Sequence, residues 1–180
     1  GPDMLRVVLE LGVEGWRDRL APAIRLSRAI RARLEVEAVV GDDGGGFEEL
    51  VSMLAILDGI TPDVLVFSDT SHVTTRPLAG RLRGAIDEAK AAIRVGGGSR
   101  ANFAEFNRAE LPIQLLDVVG YPISPQVHAF DDASVLETVD AQAATLRDAA
   151  RIRGAADMTI GPITLLPRFN PYTGRKPRYD

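Results

Sequence analysis

Cysteine is absent from the 180 residues, so disulfides, thiolate metal sites, iron–sulfur clusters and cysteine nucleophiles are excluded. Histidine is scarce, with two residues, and aromatics make up only 6% of the chain. A surplus of positive charge is missing too. Asp and Glu total 25 against 21 Lys and Arg, a formal net charge of −4, which argues against a protein that binds nucleic acid by neutralising phosphates. No apolar run reaches the roughly 18 residues of a membrane span, and no signal-peptide pattern opens the chain, so no membrane partner is expected and cytoplasm is the default compartment. The chain does hold 46% hydrophobic and 26% charged residues, the balance of a core-forming globular domain. Its length suits one domain over residues 1–180. Gly1-Pro2-Asp3-Met4 reads as a protease-cleavage scar or as the start of a piece from a longer reading frame, and Tyr172–Asp180 as loop or coil.

Short β-branched runs recur along the sequence. They are Leu5–Leu11, Leu34–Val40, Asp63–Phe67, Ile93–Val95, Val118–Ser124 and Met158–Leu165, with starts 29, 29, 30, 25 and 40 residues apart. That interval is close to one strand–helix unit. Helical spacing fills the gaps. Trp16, Leu20 and Ile24 share a face, as do Phe47, Leu50, Val51, Leu54 and Leu57. Leu78, Leu82 and Ile86 follow Pro77, a residue suited to a first helical turn. Ser134-Val-Leu-Glu137 has the form of a capping box, and Leu136, Val139, Ala143, Leu146 and Ala150 continue an apolar stripe. Alternating strands and helices imply a parallel sheet with right-handed crossovers. An open doubly wound sheet and a (β/α)8 barrel lacking two strands both satisfy this pattern, and either gathers its site at the carboxyl edge of the strands.

Polar residues cluster beyond those edges. Ser68, Asp69, Ser71 and His72 follow the third run. After the fourth come Gly96-Gly97-Gly98-Ser99-Arg100, then Asn102, Glu105, Asn107 and Arg108, in a stretch long enough for one short helix. Gln126, His128, Asp131 and Asp132 follow the fifth, and Arg168 and Asn170 the sixth. A pocket for a polyhydroxylated or anionic small molecule accounts for such a set. The triple glycine fits neither G-x-G-x-x-G nor Walker A, so a chain turning sharply where side chains would collide explains it better than a phosphate cradle. Glu105 and Arg108, at i and i+3, are either a surface ion pair or part of a sugar pocket walled by Phe103 and Phe106. His128 can move a proton near neutral pH, whereas Asp131 and Asp132 read as helix caps and His72 as an exposed loop residue. No H-x-H or H-E-x-x-H spacing supports a zinc site from His72 and His128, and no G-x-S-x-G supports a serine hydrolase, so neither metal nor cofactor is expected.

Three blocks together resemble the D-apionate lactonase family: VGGGSRANFAEFNR (Val95–Arg108), SPQVHAFDD (Ser124–Asp132) with the VLETVDAQAATLRDAAR that follows, and GPITLLPRFNP (Gly161–Pro171). The family's pattern has threonine where Ser99 stands and leucine at Phe106. The first half of the chain resembles it only through the strand–helix rhythm. The resemblance implies an incomplete α/β TIM barrel, with about six parallel strands corresponding to the second to seventh of eight. It also implies opening of D-apionolactone to D-apionate at the carboxyl face, with a small sugar lactone as partner. On side-chain chemistry, Glu105 and His128 are the candidates for proton transfer. Asn102, Asn107, Arg108, Gln126, Arg168 and Asn170 are the candidates for binding substrate or stabilising charge. The competing expectations are a glycoside hydrolase, which needs two carboxylates roughly 5–10 Å apart, and an inert half-barrel that self-associates through its open sheet edges.

Overall fold

A computed structural model describes residues 1–57, 59–125 and 131–164. Six strands alternate with five helices: β1 (Met4–Glu10), α1 (Trp16–Ile30), β2 (Arg33–Val40), α2 (Phe47–Ala55), β3 (Asp63–Ser68), α3 (Arg76–Ala89), β4 (Arg94–Gly98), α4 (Phe103–Arg108), β5 (Val118–Ile123), α5 (Asp132–Ile152) and β6 (Asp157–Ile163). The strands pair in sequence order, every pair parallel, in one six-stranded sheet. The sheet is a half-barrel. Its curvature shows in Arg6 of β1, whose guanidinium donates to Thr159 Oγ1 (3.3 Å) and to the Gly161 carbonyl, both on β6. A side chain can join the first and last strands only if the sheet curls them toward each other.

The two faces of the sheet differ in chemistry because side chains alternate along each strand. Leu34, Val36, Ala38 and Val40 of β2, Val64 and Val66 of β3, and Val119, Tyr121 and Ile123 of β5 point outward into one hydrophobic core with the helices. Trp16 and Leu20 seal α1 onto it, Phe47, Leu50 and Leu54 seal α2, and Leu78, Leu82 and Ile86 seal α3. Thr75 caps α3 by accepting from the Leu78 N–H, and Pro77 sits in the first turn. Among the described residues, no helix is long and apolar enough to cross a membrane.

Two elements depart from expectation. Strand β4 does not end at Val95 but runs through Gly96, Gly97 and Gly98. Helix α5 begins a turn before the capping box: Asp131 is the N-cap, accepting from the Ser134 N–H at 3.0 Å, so Ser134 lies inside the first turn. The stripe of Leu136, Val139 and Leu146 faces solvent, while Thr145 faces the sheet and bonds the Tyr121 hydroxyl at 2.9 Å. At the amino end of the strands Asp63, fully buried, lies 3.3 Å from Arg33 and 3.5 Å from Arg94. Burial pushes its carboxyl up from the ordinary aspartate range, and the two guanidinium groups oppose that shift.

Candidate functional site

The inner face of the half-barrel is charged. Arg6 on β1 is paired with Glu35 on β2, and its Nη1 lies 4.0 Å from Glu37 Oε2. Glu37 in turn accepts from Nε of Arg100, just past β4, at 2.5 Å. Glu35 and Glu37 are buried, Arg100 nearly so, and Arg6 keeps 15% of its side chain exposed. Arg6, Glu35, Glu37 and Arg100 are thus linked by ion pairs in the lumen. Taking such charges out of water costs several kcal/mol per ion before pairing offsets it.

Glycine lets neighbouring strands approach closely beside this cluster. Gly96, Gly98, Gly120 and Gly161 occupy positions where other strands carry side chains. A narrow cleft beside Gly120 and Gly161 has a free volume of about 10 Å³, room for about one water, and Glu37, Phe67, Ser99 and Arg100 are among its walls.

The carboxyl edge of β4 is fixed by the loop that follows β3. Thr74 donates from Oγ1 to the Val66 carbonyl (2.5 Å) and accepts from the Gly98 N–H (2.8 Å). Val73 bridges Ser99, and the Arg100 N–H donates to the His72 carbonyl at 2.9 Å. Arg100 is therefore held at its backbone by one loop and at its side chain by β2. His72 is half-buried, not the exposed loop residue its sequence context suggests, and its φ of 60° is left-handed. Burial, with the Arg100 charge nearby, pulls its imidazole below the usual histidine range, and Asp69 opposes the shift.

Directly beyond Arg100 lies α4. Asn102 precedes its first turn, half-buried, and Glu105 lies one turn on, with its Oε2 atom buried. Asn107 and Arg108 end the helix exposed to solvent. Asn102 and Glu105 are thus partly buried on the element that follows Arg100, and Asn107 and Arg108 are exposed. Gln126, His128, Arg168 and Asn170 lie outside the described residues. Phe103 and Phe106 do not wall a sugar pocket. Their rings lie 5.2 and 5.1 Å from that of Tyr121, whose hydroxyl bonds α5, so this trio anchors α4 to the outer core. Among the described residues, no group of three or more His, Asp or Glu side chains is placed to hold a metal ion.

Arg6, Glu35 and Glu37 were not among the residues singled out from the sequence, and Arg100 was placed at the strand edge without a role. The signal was present in the run Leu34-Glu-Val-Glu-Ala-Val-Val, where glutamate recurs at period two inside an otherwise apolar strand. In a parallel sheet covered by helices, that spacing puts both carboxylates on the inner face.

Sequential parallel strands curling inside a layer of helices define the TIM-barrel class of α/β protein. The chain belongs to the D-apionate lactonase, TIM barrel domain, family, whose model matches residues 1–178. It is similar to the D-apionate lactonase of Brucella anthropi (strain ATCC 49188), with 31% identity over 155 residues, which is 80% of this chain and 26% of that protein. The chain therefore spans about a quarter of the length of this curated relative. No solved structure matches it.

Proposed function

We propose that this chain is the barrel segment of a hydrolase that opens the lactone of D-apionate. The observation that carries the proposal is the family match over residues 1–178. In the reaction, the oxygen of water adds to the lactone carbonyl carbon while a base takes the water proton. The carbonyl oxygen then carries the negative charge. Its collapse breaks the bond to the ring oxygen, which leaves with a proton as the new hydroxyl of the open-chain acid.

Glu105 and His128 are the proton-transfer groups of this proposal. Glu105 is supported by its place one turn beyond the β4 edge with one carboxylate oxygen out of solvent. Asn102, Gln126, Arg168 and Asn170 bind the sugar. Asn107 and Arg108, exposed at the end of α4, are left without a role in it.

The test uses the intact protein with D-apionolactone and, separately, an apiose-containing glycoside, following both by NMR. Consumption of the lactone alone is the expected result. Glu105→Gln and His128→Ala should each slow it by about 10²- to 10⁴-fold, the usual contribution of a positioned acid or base. Consumption of the glycoside instead, or unchanged lactone rates in both variants, would overturn the proposal.

A further inference from the structure

The lumen charges have a use that proton transfer does not cover. We propose that Arg100 is the group that recognises the carbonyl oxygen of the substrate and the carboxylate of the product, and that Glu37 is its positioning residue. This rests on the lactone-opening function proposed above and names the part of the ligand that the cleft selects.

Arg100 lines the cleft at the carboxyl edge of the strands, where sites of this fold lie. Its main chain is tied to the His72 carbonyl and its Nε to Glu37, so the cation is fixed before any ligand arrives. Glu37 is itself bracketed by a second cation, Arg6, and lies on β2, two strands away from β4. A long, rotatable side chain is thereby held in one place by partners from two directions. Pre-positioned donors of this kind stabilise an oxyanion without reorganising during the reaction. A guanidinium also presents a planar fork that matches a carboxylate. Sugar hydroxyls would not need it, because any neutral donor or acceptor serves them.

The experiment measures binding of two probes to the intact protein by calorimetry: D-apionate, and the neutral polyol in which its carboxylate is replaced by a primary alcohol. The wild type should prefer the acid. Arg100→Gln should weaken acid binding by about ten- to a hundredfold, the scale of a hydrogen bond to a charged group, and leave the polyol unchanged. Arg100→Lys, which keeps the charge and loses the fork, should fall between them. Glu37→Gln should weaken the acid selectively, and Glu37→Asp should restore part of the loss. A purely structural role for Glu37 would lower the melting temperature and leave the acid-to-polyol ratio untouched, which would overturn its assignment. Undiminished acid preference in both Arg100 variants would overturn the anion site while leaving lactone opening in place. A protein that binds the acid through Arg100 yet opens no lactone would keep the anion site and remove the proposed reaction.

Discussion

The same substitution, glycine to alanine, should have opposite effects at two places in this chain. At Gly98 a Cβ would lie 1.9 Å from the Gly120 carbonyl oxygen, and φ there is +136°. That distance is far inside the roughly 3.5–4.0 Å at which non-bonded atoms attract. The obstacle is backbone, so no side chain can swing aside. The Gly120 oxygen also accepts from the Ser99 N–H at 3.0 Å, so relief of the clash pulls apart the bond that joins β4 to β5 just before Arg100. Overpacking costs about 1–3 kcal/mol, a disfavoured backbone region about 1–3, and the weakened hydrogen bond about 1. Together Gly98→Ala should cost about 3–7 kcal/mol, a large share of the roughly 5–15 that holds a domain folded. Gly80 and Gly84, exposed in α3, have nothing within 4 Å of a built Cβ. Alanine there should stabilise by about 0.5–1 kcal/mol. Urea denaturation of the intact protein followed by circular dichroism reads all three variants. Gly98→Ala within 1 kcal/mol of wild type, or Gly80→Ala destabilised by more than that, would refute the crowding assigned to β4.

Other outcomes follow from the ion pairs, the cap and the surface. Arg6→Ala leaves Glu35, fully buried, without its pair and should cost about 3–5 kcal/mol, whereas the joint change Arg6→Met with Glu35→Leu should recover most of that loss in denaturation. Asp131 has its carboxyl held below the usual aspartate range by the Ser134 N–H. Its folded-state pKa is therefore depressed, and its contribution is present above the ordinary aspartate pKa of about 3.9 and lost as pH falls through the folded value. Asp131→Ala should thus lower the melting temperature at pH 7, and the gap to wild type should close on acidification. Leu136, 70% exposed, should accept Lys with a change within about 0.5 kcal/mol by the same denaturation assay.

The strand positions were legible because buried parallel strands are marked by β-branched runs, and all six observed strands begin within one residue of those runs. Within β1, however, stands Arg6, a residue that hydropathy alone would send to solvent. The inner face was not legible by the same rule. Periodicity identifies which residues share a face, not which face meets water. In α5 that ambiguity produced an error: the apolar stripe of Leu136, Val139 and Leu146 was expected to pack, yet the sheet side is taken by Thr145, because the buried Tyr121 hydroxyl needs a partner. In β2 the same ambiguity hid Glu35 and Glu37, since charge in a strand reads as solvent-facing until the curvature of the sheet turns that face inward. Glu105 was legible because it follows a strand edge in an irregular insertion, and its neighbour Asn102 for the same reason. The glycines drew notice for the right cause, close approach, but they belong to the strand and not to a turn after it.

Why the lumen is charged at all is a question of position and not of stability. Barrel interiors are ordinarily filled by branched apolar side chains, and an apolar set of similar volume is often as stable as a buried ion cluster or more so. The outer face of this same sheet follows that rule, with valine, leucine and isoleucine on β2, β3 and β5. The inner face departs from it at its amino end, where Asp63 meets Arg33 and Arg94, and toward the carboxyl edge, where Arg6, Glu35, Glu37 and Arg100 meet. A charge kept where an apolar residue would serve folding equally well is there for what it touches. The two cations and two anions fix one another, and the member nearest the carboxyl edge is Arg100. The stability given up in burying the cluster is then the cost of holding that one guanidinium still at the mouth of a small cleft.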